Sequence, residues 1–144
     1  MSEELVSKYD IRGTEETGLT LECAWNVGKA LADWLPDGET VIAYLPTQKR
    51  MGEAIIEGLR LQGRTVIDGG NGDSEAVKTY IATNKFAGGV AVGFDELEKV
   101  ITIELYNETA RLIDGENGLQ EIRELVKAGN FVPAAAKGEL IQTA

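Results

Sequence analysis

The apolar positions fall into two periods along the chain, and their alternation predicts its elements. Between Thr20 and Leu35, Leu21, Ala24, Val27, Leu31 and Trp34 recur at three- and four-residue steps, one face of a helix. Thr20 is its expected N-cap, Glu22 sits in the positive first turn, and Pro36-Asp37-Gly38 ends it. Val41-Ile42-Ala43-Tyr44-Leu45 follows without alternation, the pattern of a strand buried on both faces. Helical spacing returns from about Lys49 to Gln62 through Met51, Ile55, Gly58 and Leu59, with Gly63 placed as the left-handed residue after the helix. Thr65-Val66-Ile67-Asp68 reads as a second buried strand and Gly69-Gly70-Asn71-Gly72 as a turn. Asp73 or Ser74 then caps a third helix carrying Val77, Tyr80 and Ile81. Gly88 to Val92 is a third strand, and the alternating run from Val100 to Leu105 a half-exposed fourth. Asn117 or Gly118 opens a last helix with Leu119, Ile122, Leu125 and Val126, closed by Gly129.

Strands alternating with helices of this length predict a three-layer α/β/α domain, with helices on both faces of a mixed, four-stranded and mostly parallel sheet. The runs at 90–92 and 100–105 leave no room for a crossover helix, so that pair is expected to be antiparallel. No internal repeat or interdomain linker interrupts the pattern. Residues 1–144 are therefore one α/β domain, with its core at about 8–130 and a loosely held tail at 134–144.

Composition narrows the chemistry. At 144 residues, 43% hydrophobic and 26% charged, the chain is long enough to bury a core without metal or disulfides. Fourteen basic against 24 acidic residues leave a net charge of −10, so nucleic acid and anionic membrane surfaces are not expected as partners. A small phosphorylated ligand in a local positive pocket stays open. The absence of His removes the commonest general base, the Ser-His and Cys-His dyads and the usual zinc sites. The single Cys23 forms no internal disulfide, and no apolar run approaches the roughly 20 residues of a membrane helix. Met1-Ser2-Glu3-Glu4 is acidic where a signal peptide is basic. A reducing, cytoplasmic setting is the expectation, and Asn107-Glu108-Thr109 is then turn chemistry.

Four stretches carry candidate chemistry. In Lys8-Tyr9-Asp10-Ile11-Arg12-Gly13, an Arg fork beside Gly suits phosphate or carboxylate binding; the alternative is an Asp–Arg ion pair at a strand end. Gly69-Gly70-Asn71-Gly72 lies between strand and helix, where backbone amides can cradle a phosphate, but Asp73 opposes an anion and a plain turn suffices. Phe94-Asp95-Glu96-Leu97-Glu98 follows a buried strand and offers carboxylates for a cation, for base catalysis or for a solvated turn. Trp25, one step off the apolar face that holds Trp34, is either an interface anchor or half-buried packing; Cys23 reads as a small buried hydrophobe.

The order of these pieces resembles the opening of the phosphoglucomutase/phosphomannomutase (α-D-phosphohexomutase) family. Tyr9-Asp10-Ile11-Arg12-Gly13, Leu19-Thr20 and Gly28-Lys29-Ala30-Leu31 begin the likeness. Glu57-Gly58-Leu59 to Gly63, Val66-Ile67-Asp68 and Gly88-Gly89-Val90 continue it. Ile103-Glu104-Leu105-Tyr106 and Gly118-Leu119-Gln120-Glu121-Ile122 complete it, so that it runs from Lys8 to about Leu140. The resemblance implies the first of the family's four domains.

What the resemblance implies for activity is mostly a loss. Family members carry a phosphorylated serine on a TASHNP-type loop; an ungapped match puts Asp95 at the serine and Glu96 at the histidine. The family's GRDxR block meets Tyr44-Leu45-Pro46-Thr47-Gln48-Lys49-Arg50, without its glycine. Family magnesium is held by aspartates of a domain absent here, so no cofactor and no metal ligands are expected in this chain alone. The expectation is a domain with no catalytic residue of its own, with Tyr9, Arg12 and Gly13 retained for a hexose phosphate ligand. Any mutase activity would need other domains. The competing expectations are a protein-interaction or homo-oligomerisation domain that kept only the fold, and one subunit of a split phosphohexomutase.

Overall fold

All four predicted strands form, and two short ones join them at the edges of the same sheet. The computed structural model describes Leu5 and residues 7–143; the acidic Met1-Ser2-Glu3-Glu4 stretch and Ala144 lie outside the described residues. The strands are β1 (Ile11–Gly13), β2 (Thr40–Tyr44), β3 (Val66–Asn71), β4 (Gly88–Asp95), β5 (Val100–Tyr106) and β6 (Leu140–Gln142), in spatial order β1-β5-β4-β2-β3-β6. β2 runs parallel to β3 and β4, and β6 parallel to β3. β5 is antiparallel to both β4 and β1, as the short β4–β5 connection requires.

The sheet thus has six strands where four were expected. β1 and β6 hold three residues each, too few to show a period in sequence. Nor is the carboxyl-terminal segment loose. Ala134 and Gly138 donate backbone bonds to Leu61 and Arg60, and Thr143 donates to Asp68, fastening β6 along β3. The Gly69-Gly70-Asn71 stretch expected as a turn continues β3, with a register shift against β2 between Ile42 and Tyr44 and a positive φ of 69° at Gly70.

The helices are α1 (Leu21–Trp34), α2 (Lys49–Leu61), α3 (Ser74–Asn84) and α4 (Leu119–Ala128). Thr20 caps α1 by accepting the Cys23 amide, Asp73 caps α3 through the Ala76 amide, and Gly129 closes α4 in the left-handed conformation. α1, α2 and α4 cover one face of the sheet over Ile42, Val90, Val92, Ile103 and Leu105. α3 covers part of the other, over Val41, Ala43, Ile67 and Ala91. Successive residues of β2 feed opposite cores, which is why its sequence is apolar without a break.

Two contacts fix the helical layer. A Cβ on Gly58 would overlap the Trp25 carbonyl oxygen, and one on Gly28 would overlap that of Ile55, so α1 and α2 touch backbone to backbone. At the end of α1, Arg64 is only 8% exposed, and its guanidinium donates to the carbonyls of Ala32, Leu35, Pro36 and Gly38. A cation held by carbonyls at a helix carboxyl terminus is favoured by the helix dipole as well. Arg64→Ala leaves these acceptors without a donor and is expected to cost about 3 kcal/mol. Urea unfolding checks it: the midpoint should fall with the slope unchanged, and an unchanged midpoint would refute the role.

Candidate site around Arg12

The site is built on Asp10, which is 5% exposed. The Ser7 hydroxyl donates to Asp10 Oδ1 at 2.7 Å and accepts the amides of Tyr9 (3.2 Å) and Asp10 (3.0 Å), folding the chain so that the carboxylate faces β1. Arg12 meets it with a fork: Nε to Oδ1 at 2.8 Å and Nη2 to Oδ2 at 2.9 Å. The Asp–Arg ion pair read from the sequence is therefore present. Arg12 also pairs in register with Thr102 of β5, which in turn faces Gly93 of β4. The same register carries its remaining nitrogen to the β4–β5 hairpin, where Nη1 donates to Glu98 Oε2 at 2.9 Å and Asp95 Oδ2 at 3.3 Å. The Asp10 bonds, with Glu98 adding to them, push the Arg12 pKa above its ordinary value and keep the group charged.

Asp95, at the position matched to the family serine, caps a turn. Its Oδ1 accepts the amides of Leu97 (2.9 Å) and Glu98 (3.1 Å), and its carbonyl accepts the Lys99 amide. Asp95 and Val100 are the last paired residues of the hairpin, so four residues, Glu96 to Lys99, close it. The Glu98 and Leu97 amides, with Arg12 beside them, hold the Asp95 carboxyl below its usual range. Glu96 pairs with Lys99 at 3.4 Å on the surface.

The other residues expected at this site separate. Tyr9 is 55% exposed, with Lys8 Nζ 5.6 Å from its ring centre. Gly13 is buried and faces the layer opposite to Arg12: a Cβ there would lie 2.7 Å from Leu5 Cδ2 and from Thr17 Oγ1. Its glycine serves packing. The Gly69-Gly70-Asn71-Gly72 stretch is likewise held from within, since Asp68 Oδ1 accepts the Gly70 amide at 2.9 Å and the Tyr44 hydroxyl at 3.1 Å. Burial, with that carboxylate adding to it, pushes the Tyr44 pKa up to about 12.

A cavity of about 210 Å³ opens at the carboxyl ends of β2 and β4, with Gly72, Ser74, Gly93, Thr102 and Glu104 among its walls. Glu104 accepts the Tyr106 hydroxyl at 3.3 Å. Burial raises the Glu104 carboxyl above its usual range; the Tyr106 bond opposes the rise and the charge of Asp10 adds to it. Sequence reasoning placed Glu104 only in a family block. Its pairing on one face with Thr102 was readable from the alternation of β5, but the opposing helix was not. The Glu98 contact was also missed, because it joins residues 86 positions apart. Among the described residues no group of three or more His, Cys, Asp or Glu is arranged to hold a metal ion.

No family model matches the chain. Curated relatives and solved structures do. The chain is 31% identical over 141 residues to a phosphomannomutase of Salmonella typhimurium, a match that covers 93% of this chain and 30% of that protein. It is 30% identical over 141 residues to a phosphomannomutase of Klebsiella pneumoniae, covering 93% of this chain and 88% of that sequence. A phosphoglucomutase/phosphomannomutase family protein from Burkholderia thailandensis has the same fold, with a TM-score of 0.82 at 19% identity over 99% of this chain and 33% of that one. The α/β layering is thus that of a phosphohexomutase domain, and the chain belongs to the phosphomannomutase family. It spans 30% of the length of the Salmonella relative.

Glu104 supplies a pH test. A carboxyl whose pKa is raised on folding favours the protonated native state, so its contribution is greatest below the unfolded value and is lost as pH rises through the folded one. Glu104→Gln lacks that loss. Its stability relative to the wild type should grow between about pH 4 and pH 7, read as denaturation midpoints; parallel profiles would show that the carboxyl is not perturbed.

Proposed function

We propose that this chain is a phosphohexomutase domain that binds a sugar phosphate through Arg12 and transfers no phosphoryl group by itself. The observation that supports the absence of transfer is the capped turn at Asp95. Where family members carry a serine on a loop, this chain has a closed hairpin whose aspartate is committed to two amides and to Arg12. Phosphoryl transfer depends on positioned charge around a nucleophile. The turn from Asp95 to Lys99 carries no hydroxyl, and a carboxylate supplies about one negative charge where a phosphoserine supplies roughly two. The binding half rests on preorganisation: Asp10 fixes the guanidinium plane while Arg12 keeps 27% of its side chain open to solvent. Full mutase activity would need the domains that the longer relatives possess. No helix among the described residues is long and apolar enough to cross a membrane; a cytoplasmic setting is part of the proposal.

Intact mass spectrometry after incubation with a hexose 1,6-bisphosphate tests the absence of transfer. The expected mass is unchanged; gain of one phosphoryl group would overturn it. Titration calorimetry with mannose 1-phosphate tests the binding. Arg12→Ala should weaken binding about tenfold or more, the effect of losing a charge-assisted hydrogen bond. A wild type that binds none would overturn it.

A further inference from the structure

The four bonds of Arg12 differ in what holds their acceptors. Nε and Nη2 go to Asp10, whose side chain is 7% exposed and is also tied to Ser7. Nη1 goes to the hairpin, where the Glu98 side chain is 60% exposed. Asp95 shares that nitrogen at the longer distance of 3.3 Å, and two amides fix it in place. Among the acceptors of Arg12, Glu98 is therefore the one whose carboxylate is free to swing into solvent. We infer that Glu98 is a tethered competitor for Arg12, occupying the guanidinium edge that an incoming phosphate monoester must take.

Carboxylate and phosphate oxygens use the same donor geometry on a guanidinium. An exposed ion pair of the Glu98 type contributes little, so a dianionic phosphate displaces it at modest cost, whereas a monocarboxylate gains nothing over the residue already there. The hairpin tip thereby sets both ligand class and affinity. Phosphate monoesters bind, weakened by the competition, and simple carboxylates do not. The Asp10 fork cannot be displaced in this way, because parting it would leave a buried carboxylate without its cation. Arg12 keeps its orientation whether the tip is closed or open. This inference rests on the reading of Arg12 as a phosphate ligand and adds what regulates it.

The test compares the wild type with Glu98→Gln and Glu96→Gln, titrated with inorganic phosphate and, separately, with acetate. The Arg12 Nε–H resonance reports binding. Glu96 lies on the same turn and pairs with Lys99. Its substitution therefore removes an equal charge without touching Arg12. Glu98→Gln should bind phosphate about three- to fivefold more tightly than the wild type, the range expected for removing an exposed ion pair. Glu96→Gln should stay within about twofold, and acetate should shift the resonance only in Glu98→Gln. Equal affinities of wild type and Glu98→Gln, or an equal gain in Glu96→Gln, would overturn the competitor while leaving the ligand reading intact. Failure of all three proteins to bind phosphate would overturn both.

Discussion

The backbone contact between α1 and α2 sets the geometry on which the other layers depend. Gly28 and Gly58 let the two helices approach until the chain of each meets the carbonyls of the other. That approach places both helices over β2 and β4 and leaves room for α4 beside α1. Any side chain at either position forces the helices apart, and a core packed at crystal density does not absorb such a displacement. Arg64 then closes the far end of α1 with carbonyl contacts that a shorter or uncharged side chain cannot span. Gly88 and Gly89 play a comparable part in the sheet: a Cβ at Gly88 would lie 2.6 Å from the Tyr106 carbonyl oxygen, and one at Gly89 the same distance from Val77.

With that frame in place, the edge of the sheet is where chemistry collects. β1 is only three residues long, yet its register on β5 carries the Arg12 side chain toward the end of the β4–β5 hairpin. The guanidinium lies among Asp10, Asp95 and Glu98, so the positive charge expected to receive a phosphate is already balanced from within. Affinity for an anion at this site is a difference between similar interactions. It depends on which carboxylates are fixed and which can leave, and burial divides them: Asp10 is enclosed, Asp95 is tied to the turn, and Glu98 is in water.

Much of the fold was legible because the periodic runs are long. The face of α1 through Val27 and Leu31, the unbroken run of β2 and the alternation of β5 all formed as the spacing predicts. β1 and β6 were not legible, since three residues hold no period, and their pairing is decided by partners far away in sequence. The glycines of β3 read as a turn because glycine marks both turns and bulges, and only the register on β2 tells them apart. At the site, the Asp10–Arg12 pair was visible as near neighbours, whereas its meeting with Glu98 required the hairpin. Gly28, Gly58, Gly88 and Gly89 all fall within the blocks that resemble the family, and all are demanded by close packing. That is why the resemblance forecast the fold so well.

An amide-resolved NMR titration with mannose 1-phosphate and glucose 6-phosphate tests most directly whether Arg12 still serves as a ligand-binding group. Saturable shifts clustered at Lys8 to Gly13 and at Asp95 to Lys99, with the rest of the spectrum unmoved, are the expected result. Shifts centred elsewhere, or none at millimolar ligand, would contradict it and leave the Arg12 cluster as a structural clasp between β1 and the hairpin.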